Sequence, residues 1–118
     1  MIERFGIGID IVDINDFERI QYNKKSDFYK KIFLLSEINY CLKYKNPYPH
    51  FAGKFALKEA VKKAISKKIS MLDIETSHSK KQPFIKIKSK VDYSFLASIS
   101  HEKNMAIGIV ICEKILNK

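Results

Sequence analysis

Between Phe5 and Ile14 the chain alternates. Ile7, Ile9 and Ile11 fall on one side of a period of two, and Gly6, Gly8, Asp10 and Val12 on the other. A strand is expected there, buried over most of its surface. From about Asn15 to Lys45 the pattern turns polar with helical spacing. It predicts two or three short helices, with a start at Ser36-Glu37 and a stop at Asn46-Pro47-Tyr48-Pro49. His50 to Ser66 has no proline and no long β-branched run and is rich in Ala, Lys, Phe and Leu, which predicts the longest helix. Met71 to Ser77 and Pro83 to Ile87 read as strands on either side of the polar run His78 to Gln82. Phe95 to Ser100 and Ala106 to Cys112 read as a closing hairpin around His101 to Asn104. One strand, then helices, then several strands indicates an α+β domain rather than a doubly wound sheet.

Length and composition narrow the class. A chain of 118 residues, 46% hydrophobic and poor in Gly and Pro, fits one globular domain over 1–118 and not a disordered segment. Twenty-two Lys and Arg against thirteen Asp and Glu give a net charge of +9, a field that draws in polyanions. Twenty of those cations are Lys, so a compositional bias of the source explains the total equally well. Cys41 and Cys112 match no metal spacing and make no disulfide framework, which points to a reducing compartment. The N-terminal stretch has no signal-peptide pattern, and no run approaches the roughly 20 apolar residues of a membrane span. A cytoplasmic protein with no membrane partner is expected.

Two carboxylates stand in awkward places. Asp is depleted inside strands, so Asp10 in the middle of Gly6-Ile7-Gly8-Ile9-Asp10-Ile11-Val12 needs a reason. The glycines on its own face let a ligand, or another element, approach the backbone beside it. An Asp that caps the strand or pairs with a nearby Lys is the plainer alternative. Glu59 falls on the helix beside Phe55, Ala52 and Ala56, where a carboxylate is costly unless paired or bound to metal. An ordinary Glu59–Lys63 helical ion pair is its plainer alternative. Lys54, Lys58 and Lys62 form an i,i+4 row that reads as a solvated face. His101 is placed at a hairpin tip, where an imidazole can meet a phosphate or remain inert. One strand carboxylate and one helix carboxylate leave coordination positions open for water and phosphate oxygens, the usual manner of magnesium. The Gly6-x-Gly8 pair lacks the third glycine of a dinucleotide fingerprint.

Taken together, Gly6-Ile7-Gly8-Ile9-Asp10-Ile11-Val12-Asp13-Ile14, then Phe51-Ala52-Gly53-Lys54-Phe55-Ala56-Leu57-Lys58-Glu59-Ala60 with Lys63-Ala64, then Ser98-Ile99-Ser100-His101, resemble the holo-acyl-carrier-protein synthase family. These are the small 4'-phosphopantetheinyl transferases. The resemblance covers nearly the whole chain. It implies an α+β fold in which an antiparallel sheet packs against a long helix and shorter helices. It implies an enzyme that moves the phosphopantetheine arm of coenzyme A to a serine of apo-acyl-carrier protein, in support of fatty acid biosynthesis, and that works as a homotrimer. By the same resemblance Asp10 and Glu59 hold Mg2+, Glu59 takes the serine proton, Lys63 assists the leaving group, and Lys54, Lys58 and His101 lie near the coenzyme A phosphates. The charge alone also suits a nucleic-acid-binding module. Such readers place aromatics among exposed basic residues, however, and here Phe51, Phe55 and Phe95 sit in apolar patterns, so no nucleic acid is expected.

The chain departs from the family pattern at definite positions. Asp16 stands where an Arg facing the acidic carrier is usual, with Arg19, Lys24, Lys25 and Lys30 nearby. Lys54 replaces a common Arg and gives up its bidentate geometry. Ser66 replaces the Gly after the catalytic helix, Lys81-Gln82-Pro83 replaces a Gly-Lys-Pro turn, and Glu102 follows His101 where Thr is frequent.

Overall fold

The computed structural model describes residues 2–88 and 92–115. After a short 3-10 turn, β1 (Phe5–Asp13) leads into three short helices, α1 (Ile14–Arg19), α2 (Ser26–Lys30) and α3 (Leu35–Leu42), and then into the long α4 (Tyr48–Ile65). A 3-10 turn over Met71–Asp73 precedes β2 (Ile74–Ser79), β3 (Gln82–Ile87), β4 (Tyr93–Glu102) and β5 (Met105–Lys114). The expected α+β order holds. The first residues of the strand expected from Met71 are the 3-10 turn, and Asn46 to Pro49 both ends the run of short helices and starts α4, with Pro near its first position.

The strands form an antiparallel three-stranded sheet in the order β1-β5-β4, and β2 and β3 pair as a separate hairpin. The side of the larger sheet that carries Gly6, Gly8 and Gly108 lies against α4. A Cβ at Gly6 would stand 2.0 Å from the Ala64 carbonyl oxygen, one at Gly8 1.9 Å from that of Ala60, and one at Gly108 2.8 Å from the Leu57 nitrogen. What approaches the glycines is therefore a helix backbone. Asp10 pairs with Gly108 across the sheet and so sits beside the line where α4 crosses.

Helix α4 divides the core. On one side Phe17, Tyr29, Phe33, Ile38 and Phe51 pack with Val12 and Ala106; on the other Leu57, Val61, Ile65, Ile74 and Val110 pack together. With neighbours on three sides, the helix has almost no solvated face. The expected solvated lysine row is corrected accordingly: Lys54 is 1% exposed and Lys58 0%.

The opposite face of the sheet is bare in the single chain. Ile7, Ile9 and Ile11 are each more than half exposed, and the register sets Ile7 beside Ile111, with Leu96 on its far side, and Ile9 beside Ile109. The strand expected to be mostly buried is thus buried on its glycine face only.

Among the described residues, four other than glycine hold positive φ: Ser66 (53°), Lys80 (50°), Lys81 (66°) and Lys103 (55°). Ser66 and Lys81 are the two positions where the family pattern has glycine. The left-handed backbone persists there although the residue suited to it is absent.

Candidate active site

Asp10 and Lys63 meet where β1 and α4 come together. Lys63 Nζ lies 3.1 Å from Asp10 Oδ1 and donates to the Ile9 carbonyl at 2.9 Å, pinning the helix to the strand. A shallow groove of about 260 Å³ opens beside them, lined by Ile9, Asp10, Ile11, Lys63 and Ile107. Glu59, one turn before Lys63 on α4, is partly exposed and stands 4.0 Å from Lys62. The helical pair expected with Lys63 is therefore made by Lys62, and Lys63 serves Asp10.

The donor set suits a hard cation. Asp10 and Glu59 offer carboxylate oxygens from two rigid elements, and both are partly open to solvent. Among the described residues no group of three or more His, Cys, Asp or Glu side chains forms a metal cage. Two carboxylates with room for water and phosphate oxygens suit magnesium better than zinc, which takes nitrogen and sulfur in a closed tetrahedron.

Lys54 and Lys58 are placed otherwise than as surface phosphate ligands. Lys58 Nζ contacts Glu37 Oε1 at 2.6 Å and donates to the Ile32 and Met71 carbonyls at 2.8 and 3.0 Å. Glu37 also accepts from the Leu34 and Thr76 backbone N–H groups, both at 2.7 Å, and from the Thr76 hydroxyl. Lys54 Nζ donates to the Thr76 carbonyl and hydroxyl oxygens, each at 3.1 Å, and lies 4.7 Å from the centre of the Tyr40 ring. Burial pushes both ammonium groups below the usual lysine range, and Glu37 pulls them back. The three residues lock α3, α4 and β2 together. Glu37 was visible in the sequence only as a residue at a helix start; nothing local in the sequence announces its burial.

A cavity of about 430 Å³ opens near the N-terminal end of α4. His101 lines it from β4, one residue short of the strand end; the hairpin tip is Lys103-Asn104, so the expected tip position is corrected by two residues. A Cβ at Gly53 would come within 2.9 Å of His101 Nε2, so the glycine leaves room for the imidazole to lie over the helix. His50 and His78 line the same cavity, as do Tyr40 and Tyr44. Sequence reading did not single these four out. For the two histidines the only signal is that the chain has just three of that type.

A long helix laid across a small antiparallel sheet, with Asp10 and Lys63 paired at one edge and a cavity lined by three histidines near one end, defines a compact α+β domain of the transferase type to which its relatives belong. Residues 6–110 match the model of the 4'-phosphopantetheinyl transferase superfamily. Similar curated proteins include the holo-[acyl-carrier-protein] synthases of Thermodesulfovibrio yellowstonii, 40% identical over 94% of this chain and 98% of that protein, and of Chlamydia trachomatis, 35% identical over 92% and 99%. Similar solved structures include a holo-(acyl-carrier-protein) synthase of Bacillus anthracis in complex with CoA (3',5'-ADP), with TM-score 0.81, 31% identity, and 93% and 96% of the two chains covered. The Helicobacter pylori enzyme in complex with coenzyme A gives TM-score 0.79 and 38% identity over 91% and 99%. The chain belongs to the holo-[acyl-carrier-protein] synthase family of the 4'-phosphopantetheinyl transferase superfamily.

Proposed function

We propose that the chain transfers 4'-phosphopantetheine from coenzyme A to a serine of apo-acyl-carrier protein, at the edge where Asp10, Glu59 and Lys63 stand. The observation that carries the site assignment is the Lys63–Asp10 contact at 3.1 Å, with Glu59 one turn away on the same helix. In the reaction the serine oxygen bonds to the phosphorus that carries the pantetheine arm. The pyrophosphate P–O bond breaks, and adenosine 3',5'-bisphosphate leaves. Glu59 accepts the serine proton, and the Lys63 ammonium faces the charge that gathers on the leaving phosphate. Asp10 and Glu59 would hold Mg2+, which supplies Lewis-acid stabilisation of that charge when bound. Asp10 also keeps Lys63 aimed at the groove. Lys54 and Lys58 act from beneath the surface, holding the walls that face coenzyme A, and His101 lies at its phosphates.

The bare isoleucine face is an assembly surface. Monomeric proteins rarely leave so continuous an apolar patch in water, and we assign it to the homotrimer. Because Asp10 lies between Ile9 and Ile11, that interface borders the active edge. Carrier docking falls on the α1 and α2 side. There Asp16 is already paired with Arg19 at 2.8 Å, and Lys24, Lys25 and Lys30 stay exposed for an acidic partner. A cytoplasmic role in fatty acid biosynthesis follows from that partner.

The test is direct. Purified chain, coenzyme A, Mg2+ and apo-carrier from the same organism should give a carrier heavier by one phosphopantetheine in a mass spectrum; an unmodified carrier sinks the reading. Glu59→Gln should lower kcat by about 10²-fold or more, the usual worth of a positioned general base. Full activity in that variant would remove Glu59 from the mechanism.

A further inference from the structure

Asp10 answers to two partners of the same sign. Its Oδ1 lies 3.1 Å from Lys63 Nζ, and on the function proposed above the same carboxylate is a ligand of Mg2+. Lys63 does not depend on Asp10 alone. Its ammonium also donates to the Ile9 carbonyl at 2.9 Å, one residue back along β1. The two acceptors differ in kind: the carbonyl belongs to the strand backbone, and the carboxylate is a side chain that lines the groove with Lys63 itself.

The ion pairs made by α4 differ in how readily they open. Lys58 and Glu37 meet at 2.6 Å with both side chains out of water, and Glu37 is held by further donors, so that pair stays shut. Lys62 and Glu59 stand 4.0 Å apart and hold each other weakly. Lys63 and Asp10 fall between the two: they are in contact, yet the lysine side chain is 54% exposed and the aspartate 19%. A pair so open to water contributes little to stability. Because its other end is fixed on the Ile9 carbonyl, Lys63 can let go of Asp10 without leaving the groove. A divalent cation is the largest local charge wherever it binds. An ammonium on the same carboxylate would lie close beside it, where like charges repel by more than an exposed pair contributes. Exchange is therefore favoured over sharing.

We infer that Asp10 is a cation-exchange site, in which Lys63 is a built-in counter-ion that yields the carboxylate to a divalent cation. The released ammonium, still held by the Ile9 carbonyl, turns into the groove, where it meets a phosphate anion. Loading of the carboxylate and readiness of the lysine are thereby one event. The aspartate that pairs with a lysine and the aspartate that binds a metal, alternatives in the sequence, become two states of a single residue.

The inference rests on the metal assignment made above, and the experiment separates the two. Mn2+, which suits the same carboxylate and water ligands as Mg2+, is titrated into the full chain without coenzyme A or carrier, and the unbound ion is counted by its paramagnetic resonance. Asp10→Asn should lose most of the binding. Lys63→Gln, which removes the competitor, should tighten it by about fivefold, the weight of an exposed pair. Lys62→Gln removes the same charge beside Glu59 and should change it by about twofold or less, since that contact is loose. In the native chain an amine-acylating reagent, mapped by mass spectrometry, should label Lys63 several-fold faster with Mg2+ than without. Tightening in Lys63→Gln no larger than in Lys62→Gln, or a labelling rate that Mg2+ does not move, overturns the exchange while leaving Asp10 a metal ligand. Binding of Mn2+ that is unchanged in Asp10→Asn removes Asp10 from the metal site and overturns the proposal with it.

Discussion

Lys58 shows what a side chain's place decides at the residue scale. Its ammonium group is enclosed by Glu37 and two backbone carbonyls, and its whole side chain is out of water. Removing one member of a buried pair leaves the other charge uncompensated, which commonly costs 3–5 kcal/mol. Lys58→Met is accordingly expected to lower unfolding free energy by about 3 kcal/mol in urea denaturation. A variant with unchanged stability and weakened coenzyme A binding would return Lys58 to the role of a phosphate ligand. Ser66 is a milder case. Its φ of 53° is natural for glycine, so Ser66→Gly should stabilise the chain by about 1 kcal/mol in the same measurement, the usual left-handed penalty of a side chain. A destabilised variant would mean that the Ser66 hydroxyl, 3.5 Å from the Lys63 carbonyl, outweighs the strain.

At the scale of elements, the β2–β3 hairpin is fastened to α3 by the His78–Tyr40 stack. His78 titrates at about 4 in the fold against 6.5 when free. Its folded value is depressed, so the unfolded chain binds more protons between those values. The stability it contributes is complete above about 6.5 and is lost as pH falls toward 4. His50 acts in the same direction. The melting temperature should therefore fall between pH 7 and 5, by roughly 4 °C for each kcal/mol lost, and His78→Phe should flatten that slope. Equal slopes in both proteins would detach the hairpin from this titration. The elements themselves were largely legible in the sequence: the alternating first strand, the proline-bounded long helix and the closing hairpin all emerge from period and punctuation. The environment of α4 was not. A lysine row looks the same on a solvated helix as on one enclosed by Glu37 and Thr76, because the enclosing groups come from α3 and β2. The histidine cavity escaped for the same reason, since its three rings arrive from three elements. Asp10 was legible as out of place, and its glycine neighbours signalled a close approach without naming the helix that makes it.

For the whole molecule, alternation along β1 gives each face a separate task. The even-numbered positions carry the helix contact and Asp10, and the odd-numbered ones the bare apolar surface. Ile7 is 66% exposed, so a charge there should leave the single chain folded. Light scattering should give three times the 13.7 kDa chain mass for the native protein and a single-chain mass for Ile7→Glu. A native protein that scatters as one chain would remove the assembly from the scheme.

On the proposed trimer, the bare face of β1, β4 and β5 also ties the protein's endurance to its abundance. A fold that leaves its isoleucines in water until copies meet gains stability by mass action, so its melting temperature rises with protein concentration. Dilution then loosens the sheet whose strands carry Asp10 and His101, and the scarcity of the chain becomes a limit on its own lifetime.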